Sequence, residues 1–239
     1  MKKVIILGGG GFIGGHLSKR LKEEGNSVTI CDIKNHEFFN HTDICDNFIK
    51  GDLRDPKIVE QVITEDIDEV YQLAADMGGA GYIFTGDNDA NVMHNSALIN
   101  LNVVHECAKK KVGKVFYSSS ACMYPEHNQL DPKNPNCQES SAYPANPDSE
   151  YGWEKLFSAM CRKVSETENT LEVWGDGNQT RSFLFIDECI TAIFKLMEAD
   201  FIGPVNIGSE EMVTINQLGQ MAIDISEKDV KIINIYGQE

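Results

Sequence analysis

The sequence predicts an α/β fold, a doubly wound parallel sheet with a small C-terminal α/β lobe. Three observations carry that expectation. Val4 to Leu7 is a short unbroken apolar run, the pattern of a strand covered on both faces, and it leads through a glycine cluster into an amphipathic segment beginning near Phe12. Apolar runs recur along the chain at Ser27 to Cys31, Asn47 to Lys50, Glu69 to Ala75 and Val115 to Tyr117. The run from Ser27 to Cys31 ends in a carboxylate, Asp32.

Gly8, Gly11 and Gly14 give the spacing G-x-x-G-x-x-G, and each has its own reason to lack a side chain. The first lets the chain turn, the second lets backbone approach a pyrophosphate, and the third lets the helix pack on the strand. The amides at the helix start, where Phe12 and Ile13 stand, then face the phosphates, and the helix dipole favours their charge. Asp32 lies close to the offset of about 20 residues expected for the acid that bonds an adenosine ribose. An acid there repels a 2′-phosphate, so NAD is expected rather than NADP. A glycine-rich turn in another α/β protein is the plainer reading of the triplet. Strand, helix and acid together favour the dinucleotide, and with it the Rossmann arrangement.

Composition bounds the function. With 239 residues, 41% of them hydrophobic, the chain has enough material for a large core. A formal charge of −16 with no basic stripe argues against nucleic acid and against anionic membranes, and an anionic ligand must be held by local donors. The seven cysteines include no C-x-x-C pair and are odd in number, which fits reduced thiols in a cytoplasmic protein. The N-terminal apolar run is too short for a signal sequence or a membrane span. The six histidines show no ligand spacing, so no metal is expected.

Further along, Gly51-Asp52-Leu53 follows the third strand. In a dinucleotide fold Asp52 can accept from the adenine amine and Leu53 can cover the ring; Asp52 reads equally well as a helix-start acid before Pro56. At the end of the fourth run Leu73, Ala74 and Ala75 let a cofactor lie against backbone, and a glycine-rich loop with Gly78 and Gly79 follows at the edge where ligands gather in open α/β sheets. That loop reads equally as a plain connection. Residues 91–111 have helical periodicity, and the next strand ends in Ser118-Ser119-Ser120. A Pro/Asn/Ser-rich loop over 129–147 is long enough for a lid, and Asp148-Ser149-Glu150 is a helix start. Tyr151 and Lys155 then stand four apart on one helical face.

Those two residues address one chemical problem. A phenol with a pKa of about 10 is ionised in about one part in a thousand at neutral pH. A nearby ammonium, with the positive charge of an oxidised nicotinamide, favours the phenolate. Ser120 can hold a substrate hydroxyl in line, so the group can remove the proton of an alcohol whose carbon gives up hydride.

With these residues together, the chain resembles the extended short-chain dehydrogenase/reductase superfamily of nucleotide-sugar epimerases and dehydratases. Longer strings narrow the resemblance to the GDP-mannose 3,5-epimerases: Ala74-Ala75-Asp76-Met77-Gly78-Gly79, Ser119-Ser120-Ala121-Cys122-Met123-Tyr124-Pro125-Glu126, Cys161-Arg162-Lys163, Trp174-Gly175-Asp176-Gly177-Asn178-Gln179-Thr180-Arg181-Ser182-Phe183 and Pro204-Val205-Asn206-Ile207-Gly208-Ser209. The resemblance implies Tyr151 as the base at C4 of the sugar, Lys155 as its electrostatic support and Cys122 as a proton carrier at the epimerised carbons. It places Gly78, Gly79, Ser120, Ala121, Lys163, Gln179, Thr180 and Arg181 on a GDP-sugar. A thiol suits proton carriage because its pKa of about 8.5 lies near neutrality. The plainer reading of Cys122 is a small core residue.

The chain departs from the family after Leu156, where it runs almost directly into Ala159-Met160-Cys161. Family members carry several tens of residues there, including a sixth sheet strand and a Glu-Lys-Ala segment whose lysine is the second proton carrier. The family also continues beyond the position of Glu239. An NAD-binding domain over 1–156 and a partial substrate lobe over 157–239 are expected, the lobe with strands Leu171 to Trp174 and Pro204 to Ile207 and a helix Ile186 to Met197. If the sixth strand is absent from the protein rather than only from this sequence, the sheet edge needs cover, so low stability or obligate association, as in a homodimer, is expected. The rival readings are another nucleotide-sugar epimerase or 4,6-dehydratase, and a truncated, catalytically impaired NAD-binding protein. Dehydratases usually want a Glu near the strand-end serine, and Cys122 favours epimerisation.

Overall fold

The structure, a computed structural model, describes residues 1–77, 82, 87–119, 124, 128, 131, 136–141, 170–174, 180–203 and 205–235. The chain divides into two compact units, one formed by residues 1–119 and 186–202, the other by residues 120–185 and 203–239.

In the first unit, β1 (Lys3–Leu7), β2 (Ser27–Asp32), β3 (Asn47–Lys50), β4 (Glu69–Gln72) and β5 (Lys114–Tyr117) make one parallel sheet in the order β3-β2-β1-β4-β5. The expected doubly wound fold is present. β1 is central, and Val4, Ile5, Ile6 and Leu7 are buried, as an unbroken apolar run covered on both faces should be. Helices α1 (Phe12–Glu23), α2 (His41–Ile44), α3 (Pro56–Val62) and α4 (Asp89–Lys109) lie between the strands in sequence. On α3 the helix-start acid is Asp55, which accepts from the Lys57 amide beside Pro56, so Asp52 does not have that role.

The fourth strand ends at Gln72, three residues before the expected Ala75. Leu73 still donates to the Leu7 carbonyl at 2.9 Å. Beyond it the Gln72 side chain takes the backbone's place: its Nε2 donates to the Ala74 carbonyl at 2.8 Å and its Oε1 accepts from the Ala74 amide at 3.3 Å. On α4 the core face is Val92, Ile99, Val103 and Cys107. Leu101 and Val104 share the helical periodicity but face away from that core, 69% and 62% exposed.

Helix α5 (Ile186–Glu198) returns to the first unit, burying Ile190, Ile193 and Met197 and packing on α1. Lys114 Nζ from the edge strand donates to the Met197 and Ala199 carbonyls at its C-terminal end, at 2.6 and 2.8 Å. A cation suits that end of the dipole.

In the second unit β6 (Thr170–Trp174) pairs in parallel with β9 (Lys231–Ile235), and β7 (Thr180–Ser182) pairs antiparallel with β8 (Met212–Thr214). Helix α6 (Ile215–Ser226) opens on a capping box formed by Thr214 and Gln217. Its apolar face, with Ile215, Leu218, Ala222 and Ile223, meets Val230 in a small core. The expected strand at Pro204 to Ile207 does not form over its described residues, 205–207. Asn206 sends its backbone N–H to Glu139 Oε1 at 2.9 Å and its side-chain amide to the Cys137 carbonyl at 2.7 Å, and it accepts from the Tyr124 hydroxyl at 2.8 Å. Its donor is committed to a carboxylate rather than to a ladder.

Candidate active site

The glycine turn sits at the carboxyl edge of β1. Gly8 has φ +88°, and a Cβ on it would stand 2.7 Å from the Ala74 amide nitrogen. The turn therefore requires both a left-handed conformation and a backbone-to-backbone approach. A Cβ on Gly14 would lie 2.4 Å from the Gly8 carbonyl oxygen, so the helix rests directly on the strand end. A Cβ on Gly11 would meet only that same oxygen, at 3.3 Å, which leaves its outer side open.

Helix α1 begins at Phe12 with Gly11 as N-cap, no side-chain cap and no acidic residue in its first turn. The capped starts of α3 and α6 are different. An uncapped start of a long helix behind an open glycine is suited to an anion, because the amides and the dipole both favour negative charge. These features fit the pyrophosphate of NAD.

Asp32 is 9% exposed, and its carboxylate is already engaged. Oδ2 accepts from the Gly10 amide at 2.8 Å and Oδ1 from the Lys34 amide at 3.0 Å. Each carboxylate oxygen has a further lone pair, so the group still accepts from a ribose hydroxyl. Gly10 falls between the counted glycines of the motif. A Cβ there would lie 2.4 Å from the Lys34 carbonyl and 2.9 Å from the Asp32 carboxylate, and only the unbroken run of four glycines could have signalled it.

Next along the edge, Gly51 donates to the Asp32 carbonyl at 3.0 Å. Asp52 grips Arg54, with Nη2 to Oδ2 at 2.6 Å and Nε to Oδ1 at 3.0 Å. The guanidinium holds the Asp52 carboxyl below the usual carboxylate range. Leu53 does not turn outward to cover a base. It is 3% exposed and packs with Ile5, Leu7, Cys31 and Val59, so only its backbone faces the edge. On the other side of β1, Leu73, Ala74 and Ala75 are half-buried, with Ala74 against Gly8.

A polar network behind Ala74 was not anticipated. Gln72 Nε2 donates to Asn100 Oδ1 at 2.8 Å, and Asp76 accepts from Asn95 Nδ2 at 2.6 Å. These bonds fix the strand end to α4. The asparagines spaced along that helix were the available signal. Cys31 lies beneath the turn, and burial pushes its thiol up to about 12, which leaves it a packing residue.

Structure thus brings Gly8, Gly11, Phe12, Ile13, Gly14, Asp32, Asp52 and Leu73 to Ala75 onto the edge of four neighbouring strands. Gly78, Gly79, Ser120, Ala121, Cys122, Tyr151, Lys155, Lys163 and Gln179 lie outside the described residues. Thr180 and Arg181 are placed by backbone alone, on β7 opposite Thr214 and Val213. Among the described residues no cluster of three His, Cys, Asp or Glu could hold a metal. No described helix is long and apolar enough to cross a membrane.

The family model described as the NAD dependent epimerase/dehydratase family matches residues 4–160 and 153–208. GDP-mannose 3,5-epimerase of Arabidopsis thaliana is 37% identical over 278 aligned positions, covering 99% of this chain and 72% of that protein. UDP-glucose 4-epimerase of Thermotoga maritima, solved with UDP-glucose, has TM-score 0.78 at 20% identity, over 99% of this chain and 86% of that one. UDP-glucose 4-epimerase of Thermus thermophilus, solved with NAD, has TM-score 0.75 at 19% identity, over 98% and 86%. The last two share the fold. The two matched stretches of the family model meet at residues 153–160, and 278 aligned positions exceed the 239 residues of this chain. The longer alignment shows that the relative carries residues this chain lacks, and the junction of the two family-model stretches falls next to Leu156. With the family model matched over most of its length, this chain belongs to the NAD dependent epimerase/dehydratase family.

Proposed function

We propose that the protein epimerises GDP-mannose at C3 and C5 through a transient 4-keto sugar. The observation that carries this reading is the 37% identity to a GDP-mannose 3,5-epimerase over nearly the whole chain. The strings around Cys122 and Arg181 add to it.

In this reading the glycine turn, the first turn of α1 and Asp32 would hold NAD, which when bound would supply reversible hydride chemistry at C4 of the mannose. Tyr151 accepts the proton of the C4 hydroxyl, supported by Lys155, while Ser120 orients that hydroxyl. A ketone at C4 makes the C3 and C5 hydrogens acidic, so Cys122 can remove or deliver a proton there, and no net oxidation results. Arg181 forks onto the diphosphate, with Gln179, Thr180 and Lys163 beside it and Gly78, Gly79 and Ala121 at the sugar.

The break at 153–160 favours a second reading, a catalytically impaired NAD-binding protein that lacks the second proton carrier. Incubation with GDP-mannose and NAD in deuterated water separates the alternatives. Deuterium at C3 or C5 is expected. Deuterium at C6 with loss of oxygen would indicate a 4,6-dehydratase, and NAD binding without exchange would leave the impaired protein.

Cys31, Cys45, Cys107 and Cys137 are free thiols, in keeping with a cytoplasmic protein. A homodimer is supported by the outer face of α4, where Ala90, His94, Ala97, Leu101, Val104 and Ala108 are exposed at three- and four-residue spacing. A second α4 would bury this stripe. The adjoining edge strand also exposes Val115 and Tyr117. Leu101→Glu is expected to shift the protein from dimer to monomer in sedimentation velocity; an unchanged mass would remove this interface.

A further inference from the structure

The segment after Asp32 is held to the first turn of α1 by a histidine that no motif marks. His36 is 8% exposed. Its Nδ1 accepts from the backbone amides of Phe38 and Phe39 at 3.0 and 3.2 Å. Its ring rests on Gly15, where a Cβ would stand 2.0 Å from Nε2. The Phe39 ring stacks on it at 4.7 Å, His16 meets Phe39 edge-on at 5.0 Å, and Phe12 meets His16 at 4.9 Å. A row of rings therefore runs from the residue that opens α1 to the loop that follows the ribose acid.

The bonds at Nδ1 place the proton of the neutral ring on Nε2, which is buried and, among the described residues, faces the Gly11 carbonyl without reaching good hydrogen-bonding geometry. A buried donor with so poorly placed an acceptor is a cost that the surrounding structure must offset. It is maintained here together with a loop whose Lys34 amide and carbonyl close over Asp32 and Gly10.

We propose that His36 is a positioning residue for NAD: by locking residues 34–39 onto the first turn of α1, it holds Asp32 and the Gly10 amide in register before the cofactor arrives. The inference rests on NAD as cofactor and is independent of which sugar is used.

The lock requires a neutral ring, because a proton on Nδ1 would face two N–H groups. Burial, then the neighbouring His16, hold His36 below its ordinary value, with Lys34 acting in the same sense and Glu37 and the Gly11 carbonyl opposing. From α1, His16 is itself held low by burial and Lys19, against Asp187 on α5. A base whose value is lowered in the closed state leaves that state favoured above about pH 6.5 and progressively lost below it.

The test is binding of NAD, and of ADP-ribose, to cofactor-free protein between pH 8 and 5.5. His36→Phe keeps a ring on Gly15 but loses the acceptor; it is expected to weaken both ligands about tenfold at pH 8 and to flatten the loss of affinity below pH 6.5. His36→Asn, which keeps an acceptor near Nδ1, is expected to recover most of the affinity. His16→Asn is expected to keep the pH dependence. Unaltered affinity and pH profile in His36→Phe would overturn the proposal, even if its unfolding midpoint fell, and so would an effect on NAD without one on ADP-ribose.

Discussion

Asp32→Ala is expected to cost this protein at least a hundredfold in NAD affinity and most of its preference for NAD over NADP. Two losses combine. The ribose loses a charged acceptor, and hydrogen bonds to charged groups contribute about 1.5–3 kcal/mol each. The cofactor turn loses its internal tie as well, since the same carboxylate holds the Gly10 amide at 2.8 Å and the Lys34 amide at 3.0 Å. With the residue 9% exposed, the buried Gly10 N–H is left without its acceptor, at a cost of about 1–3 kcal/mol, and the part-exposed Lys34 N–H at less. Asp32→Asn separates the contributions. Its single oxygen can serve one of the two amides, while its NH2 opposes the other, so an intermediate loss is expected, with discrimination against NADP reduced because the negative charge is gone. Calorimetric titration of cofactor-free protein with NAD and with NADP measures both quantities. Equal affinity of Asp32→Ala and the unaltered protein for NAD would mean that the dinucleotide lies elsewhere.

The cofactor half of this site was legible because its physics is local. Val4 to Leu7, the glycine spacing and Asp32 lie within one strand-turn-helix-strand stretch, and the constraints on them come from backbone geometry. Gly10 and Gly15 escaped because their reasons lie in Lys34 and His36, beyond the next strand. Leu53 packs inward because it joins the core cluster of Ile5, Leu7 and Val59 from other elements, whereas its neighbours in sequence, half-buried Asp52 and exposed Arg54, do not signal a core position. Glu69 to Ala75 has strand-like composition to its end, and only the Gln72 side chain, folding back on Ala74, stops it at Gln72. The strand expected at Pro204 to Ile207 failed for a similar reason, since the partners of Asn206 come from Tyr124, Cys137 and Glu139. Helix α5 was legible as a helix, but its burial against α1 depends on contacts far away in sequence. The capping box at Thr214 and Gln217 was a local signal for α6 that could have been read.

Gly14→Ala provides the sharper test of the turn, because two physical effects there have opposite signs. In a helix interior alanine is favoured over glycine by about 1 kcal/mol, so propensity alone would raise stability. The new methyl, however, would lie 2.4 Å from the Gly8 carbonyl oxygen and 2.8 Å from the Gly9 Cα. Both are backbone atoms of the turn, so relief requires α1 to move off the end of β1, where Val4 to Leu7 are buried. Overpacking of this kind costs about 1–3 kcal/mol, which exceeds the propensity gain over most of that range. The unfolding midpoint is expected to fall, by up to roughly 8 °C for a chain of this size. The Gly8 to Gly11 turn must shift with the helix, so the first-turn amides no longer converge on one anion and NAD affinity is expected to fall at least tenfold. A rise in the midpoint with unchanged NAD affinity would show that α1 does not press on Gly8, and the phosphate-facing geometry derived from that contact would be wrong.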